Sequence, residues 1–197
     1  MSPRALWILA ALGTVLLVPS CTALQELAAL RTVTFAFAGI SDVRVAGVRI
    51  TEATTYASLG VTDAGRLAAA VLAKDVPLEL TAHVRATNPS ENTVSASITA
   101  LDWTLFIEDR NTASGGLTAP LSIAPGASAE IPLGARVDLL QLGTGGARDL
   151  FDLALEIAGY GASQKELRLE MAPTIETPLG PIRYPAPVVV RRGNASR

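Results

Sequence analysis

The stretch from Val76 to Thr87 constrains the fold of this 197-residue chain most, because its side chains alternate strictly between apolar and polar. The apolar set is Leu78, Leu80, Ala82, Val84 and Ala86, and the polar set is Glu79, Thr81, His83, Arg85 and Thr87. Successive side chains of a strand point to opposite faces, so the pattern predicts a strand with one face on a hydrophobic core. Asn88-Pro89 ends it, because proline has no N–H for the ladder and asparagine bonds readily to nearby backbone.

Other short segments repeat this alternation between Gly, Pro, Asn and Ser, which is typical of an antiparallel β domain. They are residues 33–38, 43–50 with a bulge at Gly47, 94–107, 117–123, 129–137 and 167–171. In the third segment the apolar phase moves by one residue between Ile98 and Leu101, which predicts a bulge near Thr99. Ala124-Pro125-Gly126-Ala127 predicts a turn, because proline fixes φ and glycine accepts a positive φ. The predicted fold class is mainly β, with antiparallel strands.

Two segments show helical spacing instead, which predicts one or two short helices. Residues 62–74 are rich in alanine, and Thr62 can cap the free N–H groups of a helix. In residues 147–158 the apolar residues recur at helical spacing before Gly159, although period alone does not exclude a strand there. The proline-dense residues 173–185 predict an edge hairpin, because proline interrupts central strands.

The first twenty residues have the form of a secretory signal, with Arg4, an apolar run too short to span a bilayer, and a small residue at the end. Cys21 is the only cysteine, and Val18-Pro19-Ser20-Cys21 resembles the lipobox of bacterial lipoproteins. That resemblance implies that the thiol of Cys21 is acylated and anchors the protein in a membrane. The alternatives are a chance thiol in an ordinary signal peptide or in a single anchoring helix.

The predicted organisation is a lipoprotein signal peptide (1–20), a membrane-proximal spacer (21–32), one domain (33–190) and a flexible tail (191–197). Removing residues 1–20 takes away one arginine and no acidic residue, so the formal charge changes from -2 to -3. This mildly acidic chain has no basic run suited to nucleic acid or anionic lipid, so we expect membrane contact through the acyl chains. No aspartate follows the cysteine, which in a Gram-negative host predicts the outer membrane, facing the periplasm.

Five motifs follow one another along the chain. They are Val84–Pro89, which ends in Asn88-Pro89; Leu101–Leu105, which contains Trp103; an Ala113-Ser114-Gly115 turn; Ile123–Gly126, which ends in Pro125-Gly126; and Thr177–Ile182, which contains Pro178 and Gly180. The series resembles the late-embryogenesis-abundant type 2 family, the water stress and hypersensitive response domain, over residues 33–190. This implies a small sandwich of fibronectin-like type in which the motif residues are structural. The alanine-rich residues 66–74 depart from the plainest family pattern, and the mean hydropathy of +0.37 independently excludes a disordered hydrophilic stress protein.

The sequence offers little for a catalytic or metal site. His83 is the only histidine, and its strand parity predicts a solvated surface residue that shares its face with Glu79. One imidazole cannot form a metal site without several converging carboxylates. Gly143–Gly146 and Gly159–Gly161 lack the residues that complete a phosphate loop or a dinucleotide fingerprint. We therefore expect no enzyme activity, cofactor, metal or small-molecule substrate.

Two functions stay open from the sequence. The family resemblance implies a protective or stabilising lipoprotein that acts in desiccation or envelope stress. The alternative is an interaction module that presents one face to an envelope protein during assembly or transport. Such a module needs an exposed apolar patch, for which Phe106, Tyr160 and Tyr184 are the candidates.

Overall fold

The computed structural model describes residues 29–117, 119–177, 180–192 and 195–196, in which two antiparallel sheets enclose one core. The strands are β1 (Thr34–Val45), β2 (Val48–Arg49), β3 (Pro77–Thr87), β4 (Ala96–Ile98), β5 (Ala100–Ile107), β6 (Arg110–Leu117), β7 (Leu121–Ile123), β8 (Ser128–Asp138), β9 (Leu167–Thr177), β10 (Gly180–Arg183), β11 (Val188–Arg191) and β12 (Ala195–Ser196). The helices are α1 (Val61–Ala73) and α2 (Ala147–Ala158), with 3₁₀ turns at Tyr56–Ser58 and Leu139–Gln141. The predicted antiparallel β-sandwich is confirmed.

The first sheet has the order β12-β1-β3-β8, with β2 paired to β1. Strand β3 lies in its centre, and every apolar residue of its predicted inner face is buried. Strand β8 pairs with β3 along its whole length, from Pro77 opposite Asp138 to Thr87 opposite Ser128. The alternation read from the sequence is therefore the burial pattern of this sheet.

Strand β1 is longer than the sequence predicted. It continues through Gly39, where its register against β3 shifts, and shifts again between Ser41 and Arg44. Gly47 is not a bulge: Ala46 and Gly47, with φ of 48° and 79°, form the two-residue loop of the β1–β2 hairpin. Two consecutive positive φ values are what a type I′ hairpin turn requires.

The second sheet has the order β10-β9-β5-β6, with β11 paired to β9. The prediction that residues 173–185 form an edge hairpin was wrong for its first half. Pro173 lies in β9 opposite Leu101 of β5, and its carbonyl accepts a hydrogen bond from the N–H of Tyr184. In a strand the nitrogen and the carbonyl of one residue face the same neighbour, so Pro173 directs both towards the Tyr184 segment, and its missing N–H removes no hydrogen bond to β5. Within residues 173–185, the edge strand is β10.

The predicted bulge near Thr99 is a change of sheet. Strand β4 pairs with β7 in a separate two-stranded sheet, whereas β5 belongs to the second sheet. Thr99 separates them, and both its N–H and its Oγ1 donate to the carbonyl of Thr174, at 2.8 and 3.1 Å. Residues 117–123 accordingly divide between the end of β6 and β7 rather than forming one strand.

The Ala113-Ser114-Gly115 turn was also predicted wrongly, because these residues lie within β6. Gly115 is directly opposite Trp103, whose ring covers it. A Cβ added at Gly115 would lie 2.5 Å from Cζ2 of that ring. The glycine therefore provides the space that lets Trp103 pack, at 6% exposure, into the core. The predicted turn at Pro125-Gly126 is confirmed, with φ of +74° at Gly126.

Both helices pack at the end of the sandwich where β3 begins. Helix α2 occupies residues 147–158, so the helical alternative is confirmed over the strand, and Gly159 follows it with φ of 89°. Its buried side chains are Leu150, Phe151, Ala154, Ile157 and Ala158. Helix α1 begins after Gly60, so Thr62 lies inside it and is not its cap. Among the described helices, none combines the length and apolar character that crossing a membrane requires.

Candidate functional site

The end of β3 is organised around Asn88, a polar residue with 0% exposure. Its N–H donates to the carbonyl of Ala127 at 3.0 Å, and its carbonyl accepts from the N–H of Gly126 at 2.9 Å. Its side-chain Nδ2 donates to the carbonyls of Ile123 (2.8 Å) and Val94 (3.2 Å). Three segments meet here beyond the end of the β-sheet hydrogen bonds, so their buried backbone groups need other partners. The amide of Asn88 supplies them.

Asn92 extends this network to the start of the described chain. Its Nδ2 bonds to Oδ1 of Asn88, lies 3.2 Å from the carbonyl of Ala29, and lies 2.8 Å from Oγ1 of Thr32. Residues 29–32 are helical, and Ala29 and Leu30 are each only 3% exposed. The packed domain thus begins before residue 33, inside the stretch predicted as a spacer. We call this end of the sandwich, defined by Asn88, Asn92 and residues 29–32, the Asn88 end.

A cleft of about 480 Å³ opens beside residues 29–32, between the two sheets. We call it the Tyr184 cleft. Its lining is Leu30, Arg31, Val33, Phe35, Pro173, Tyr184 and the run Ala186–Val189. Leu30, Val33 and Phe35 form an apolar wall at 2–5% exposure, and Arg31, which is exposed, contributes the single charge of the lining. The cleft can therefore accept an apolar group with an anionic end.

His83 is not the solvated residue that the sequence predicted. Its Nε2 lies 2.7 Å from Oγ of Ser41 in β1, and its Nδ1 lies 2.6 Å from Oε1 of Glu130 in β8. Nδ1 of His83 and Oε1 of Glu130 are within ion-pair distance, but the geometry of the contact is not that of a hydrogen bond. Its side chain is only 22% exposed. The carboxylate of Glu79 instead pairs with Arg136 at 3.1 Å, so the two residues that share a face in the sequence do not interact.

Serine, histidine and glutamate in this order are the groups of a hydrolase triad, in which the imidazole accepts the hydroxyl proton. Three observations count against that role. Ser41 Oγ also donates to Oδ2 of Asp42 at 3.2 Å, the Glu130 side chain is 51% exposed, and Nδ1 lacks the hydrogen bond that orients a catalytic histidine. We assign the trio to joining three strands across the outer face of the first sheet. Among the described residues, no cluster of three metal-ligating side chains occurs.

The other residues predicted as motif sites lie in different parts of the fold. Pro89 follows Asn88, and Pro125-Gly126 lies against it, so the structure brings these motif residues together. Trp103 lies in the second sheet and Gly180 begins β10. Cys21 and Pro178 lie outside the described residues.

Two of the predicted apolar contact residues are engaged within the domain. Phe106 is covered by the Arg168 guanidinium, 3.8 Å from its ring centroid, and Tyr184 lines the cleft. Arg192, in the predicted flexible tail, donates to the carbonyl of Lys165 at 3.1 Å and to that of Ile157 at the end of α2. Desolvation by burial lowers the pKa of Arg192 from its usual value. Sequence reasoning missed the cleft because its walls come from segments about 140 residues apart.

No protein-family model and no curated protein matches the chain. Three solved structures resemble it at low identity. A crystal structure of a protein from Archaeoglobus fulgidus is 17% identical, with a TM-score of 0.35, and the match covers 60% of this chain and 83% of that one. A solution structure of a protein from Arabidopsis thaliana is 18% identical, with a TM-score of 0.35, over 60% and 69% of the two chains. A solution structure described as a late embryogenesis abundant protein is 17% identical, with a TM-score of 0.36, over 94% and 83%. At these values the family stays a prediction.

Proposed function

We propose that this protein is a membrane-anchored, non-enzymatic envelope lipoprotein whose sandwich stabilises neighbouring proteins or membrane during water loss. The observation that carries the proposal is that Asn92 holds residues 29–32 at this end of the sandwich, through the carbonyl of Ala29 and Oγ1 of Thr32. Only residues 22–28 separate this attachment from Cys21. At about 3.6 Å per residue at most, that segment reaches less than about 30 Å. An anchor at Cys21 would hold the Asn88 end towards the membrane.

One edge of each sheet supports a protective role. Strand β12 has two residues, and β10 has four, of which Pro181 cannot donate a ladder hydrogen bond. Short and proline-containing edge strands resist pairing with other chains. At these two edges the domain should resist pairing with neighbouring proteins when drying concentrates them.

The anchor is tested by the Cys21→Ser variant with a labelled fatty acid. We expect the wild type to incorporate the label and to fractionate with membranes. We expect the variant to incorporate no label and to persist as a larger precursor. A variant that is processed and fractionates like the wild type would contradict the lipoprotein assignment.

Protection is tested with a chain that starts at residue 22, which keeps every core side chain from Leu30 to Val190. We expect it to preserve the activity of unrelated enzymes through drying better than an equal mass of an inert globular protein. His83→Ala should leave this protection unchanged, since the histidine is assigned no catalytic role. Protection equal to the inert control would refute the protective role.

An interaction module is the second candidate, and α1 favours it. Val61 is 92% exposed and Leu72 is 85% exposed. They are eleven positions apart, about three helical turns, so they lie on the same face of α1. Exposed apolar surface of this kind often marks a protein contact. If one envelope protein co-purifies with the wild type in a fixed ratio and is lost from a Val61→Ser, Leu72→Ser double variant, this function replaces the protective one.

A further inference from the structure

We propose that the Tyr184 cleft binds one acyl chain of a membrane phospholipid, with Arg31 beside the phosphate group. The inference rests on the proposed function, because an anchored protein with its Asn88 end towards the membrane would have the cleft close to the bilayer. It deepens that function by naming the membrane component that the domain contacts.

The shape and lining of the cleft suit hydrocarbon. Its volume of about 480 Å³ is within the range of small-molecule sites, which are mostly apolar with a few placed polar groups. Val33, just before β1, and Phe35 in β1 form one wall, and Pro173 of β9 with Tyr184 forms another. Nothing in this lining except Arg31 is charged. Arginine is well suited to bind phosphate, because its guanidinium donates two parallel hydrogen bonds.

The backbone beside the cleft favours a lipid over a peptide. A peptide that bound here as an added strand would need an unpaired strand edge for its N–H and C=O groups. The edge of β1 beside the cleft already pairs with β12, at Phe35 and Ala36. The edge of β9 that does not face β5 already pairs with β10 and β11. A peptide in the cleft would leave its backbone groups without partners, which is costly, whereas an acyl chain has none to satisfy.

The test uses the unacylated chain that starts at residue 22 and phosphatidylglycerol with a BODIPY-labelled acyl chain, followed by fluorescence anisotropy. We expect saturable binding of one lipid per chain. Ala186→Trp should fill the mouth of the cleft and Pro187→Glu should place a charge there, and both positions are exposed, so folding should be retained. Each should weaken binding about tenfold or more, because a buried acyl chain tolerates neither lost space nor a nearby charge. The matched control is Ala73→Trp at the exposed end of α1.

Arg31 is tested by comparing phosphatidylglycerol with diacylglycerol that carries the same label but no phosphate. Arg31→Glu should weaken phospholipid binding about tenfold, because a charge-assisted contact becomes a repulsion, and should leave diacylglycerol binding unchanged. Arg49→Glu, an exposed charge reversal in β2, which pairs with the far end of β1, is the control.

Absent saturable binding, or binding that neither cleft variant weakens, would overturn the inference. The inference would also be overturned if the unacylated chain bound the added lipid and the acylated wild-type protein did not. The cleft would then hold the protein's own acyl chain. Equal loss of both lipids in Arg31→Glu would overturn the phosphate contact. These measurements use a chain without the anchor, so their failure is distinct from failure of acyl labelling or of protection on drying.

Discussion

Replacing Asn88 with alanine should destabilise the domain more than any other single polar truncation described above. The change removes two hydrogen bonds from Nδ2, to the carbonyls of Ile123 and Val94, and one accepted from Asn92. Each bond contributes about 1 kcal/mol net, and the buried carbonyl of Ile123 loses a partner at an additional cost of about 1 kcal/mol. The expected loss of unfolding free energy is about 3 to 4 kcal/mol.

The assay is thermal unfolding of the chain that starts at residue 22, followed by circular dichroism. For a domain of this size, 1 kcal/mol corresponds to about 2 to 4 °C in Tm, so Asn88→Ala should lower Tm by about 6 to 16 °C. Asn111→Ala, at an exposed position in β6, is the control and should change Tm by less than about 2 °C. If the two variants unfold within 2 °C of each other, Asn88 does not hold the three segments together.

Asn88→Asp separates the loss of donors from the loss of volume. The introduced carboxylate cannot donate to the two carbonyls, so at pH 7 this variant should be less stable than Asn88→Ala. Burial beside carbonyl oxygens raises the pKa of such a carboxyl above its unfolded value of about 3.9. Stability should therefore be greatest below pH 4 and be lost as the pH rises through the folded-state pKa. A variant whose relative stability falls on acidification would contradict the assigned donor role.

Three further predictions concern packing. Trp103→Ala should lower the unfolding free energy by about 3 to 5 kcal/mol. Phe106→Ala should lower it by about half of that, because Phe106 is only half buried. Equal losses in denaturant titrations would contradict the faces assigned to the two residues. Gly115→Val should push the Trp103 ring out of its site and shift its fluorescence to longer wavelength, which is readable because the only other tryptophan is Trp7; an unchanged spectrum would refute the close packing. Arg192→Met should cost about 2 kcal/mol and raise amide hydrogen exchange in the last turn of α2, because charge-assisted bonds to the carbonyls of Glu156 and Ile157 are lost; unchanged exchange would show that the guanidinium does not cap the helix.

The strands could be predicted from the sequence because alternation records which side chains are buried. The change of phase around Thr99 could be read from the sequence, but its cause could not. A bulge and a change of sheet both displace the apolar pattern by one residue, and only the partners of β4 and β5 distinguish them. Pro173 was misjudged for a related reason, because the cost of a proline in a central strand depends on which of the two neighbouring strands its backbone faces.

The surroundings of His83 depend on register over long distances along the chain. Its parity correctly placed it on the outer face of β3, opposite the core. That Ser41 and Glu130 flank it there follows from the pairing of β3 with β1 and β8, including the two register shifts in β1. No local pattern contains that information, so the sequence predicted a solvated side chain where the structure has one with two partners.

The two ends of the sandwich are built from different chemistry, and this difference gives the domain a direction. Helices α1 and α2 pack at the end where β3 begins, whereas the side-chain amides of Asn88 and Asn92, the start of the described chain and the Tyr184 cleft lie at the other end. Asn88 and Asn92 hold residues 29–32 against the sheets, so the wall of the cleft that Leu30 provides depends on the same hydrogen bonds as the end of β3. Loosening that network should therefore change the cleft as well as the stability of the domain. Asn92→Ala, which keeps the bonds of Asn88 to Ile123 and Val94, should weaken acyl-chain binding by a larger factor than it lowers the folded fraction. Lipid titration and thermal unfolding of the same sample measure both quantities, and a loss of binding that merely follows unfolding would separate the cleft from the Asn88 network.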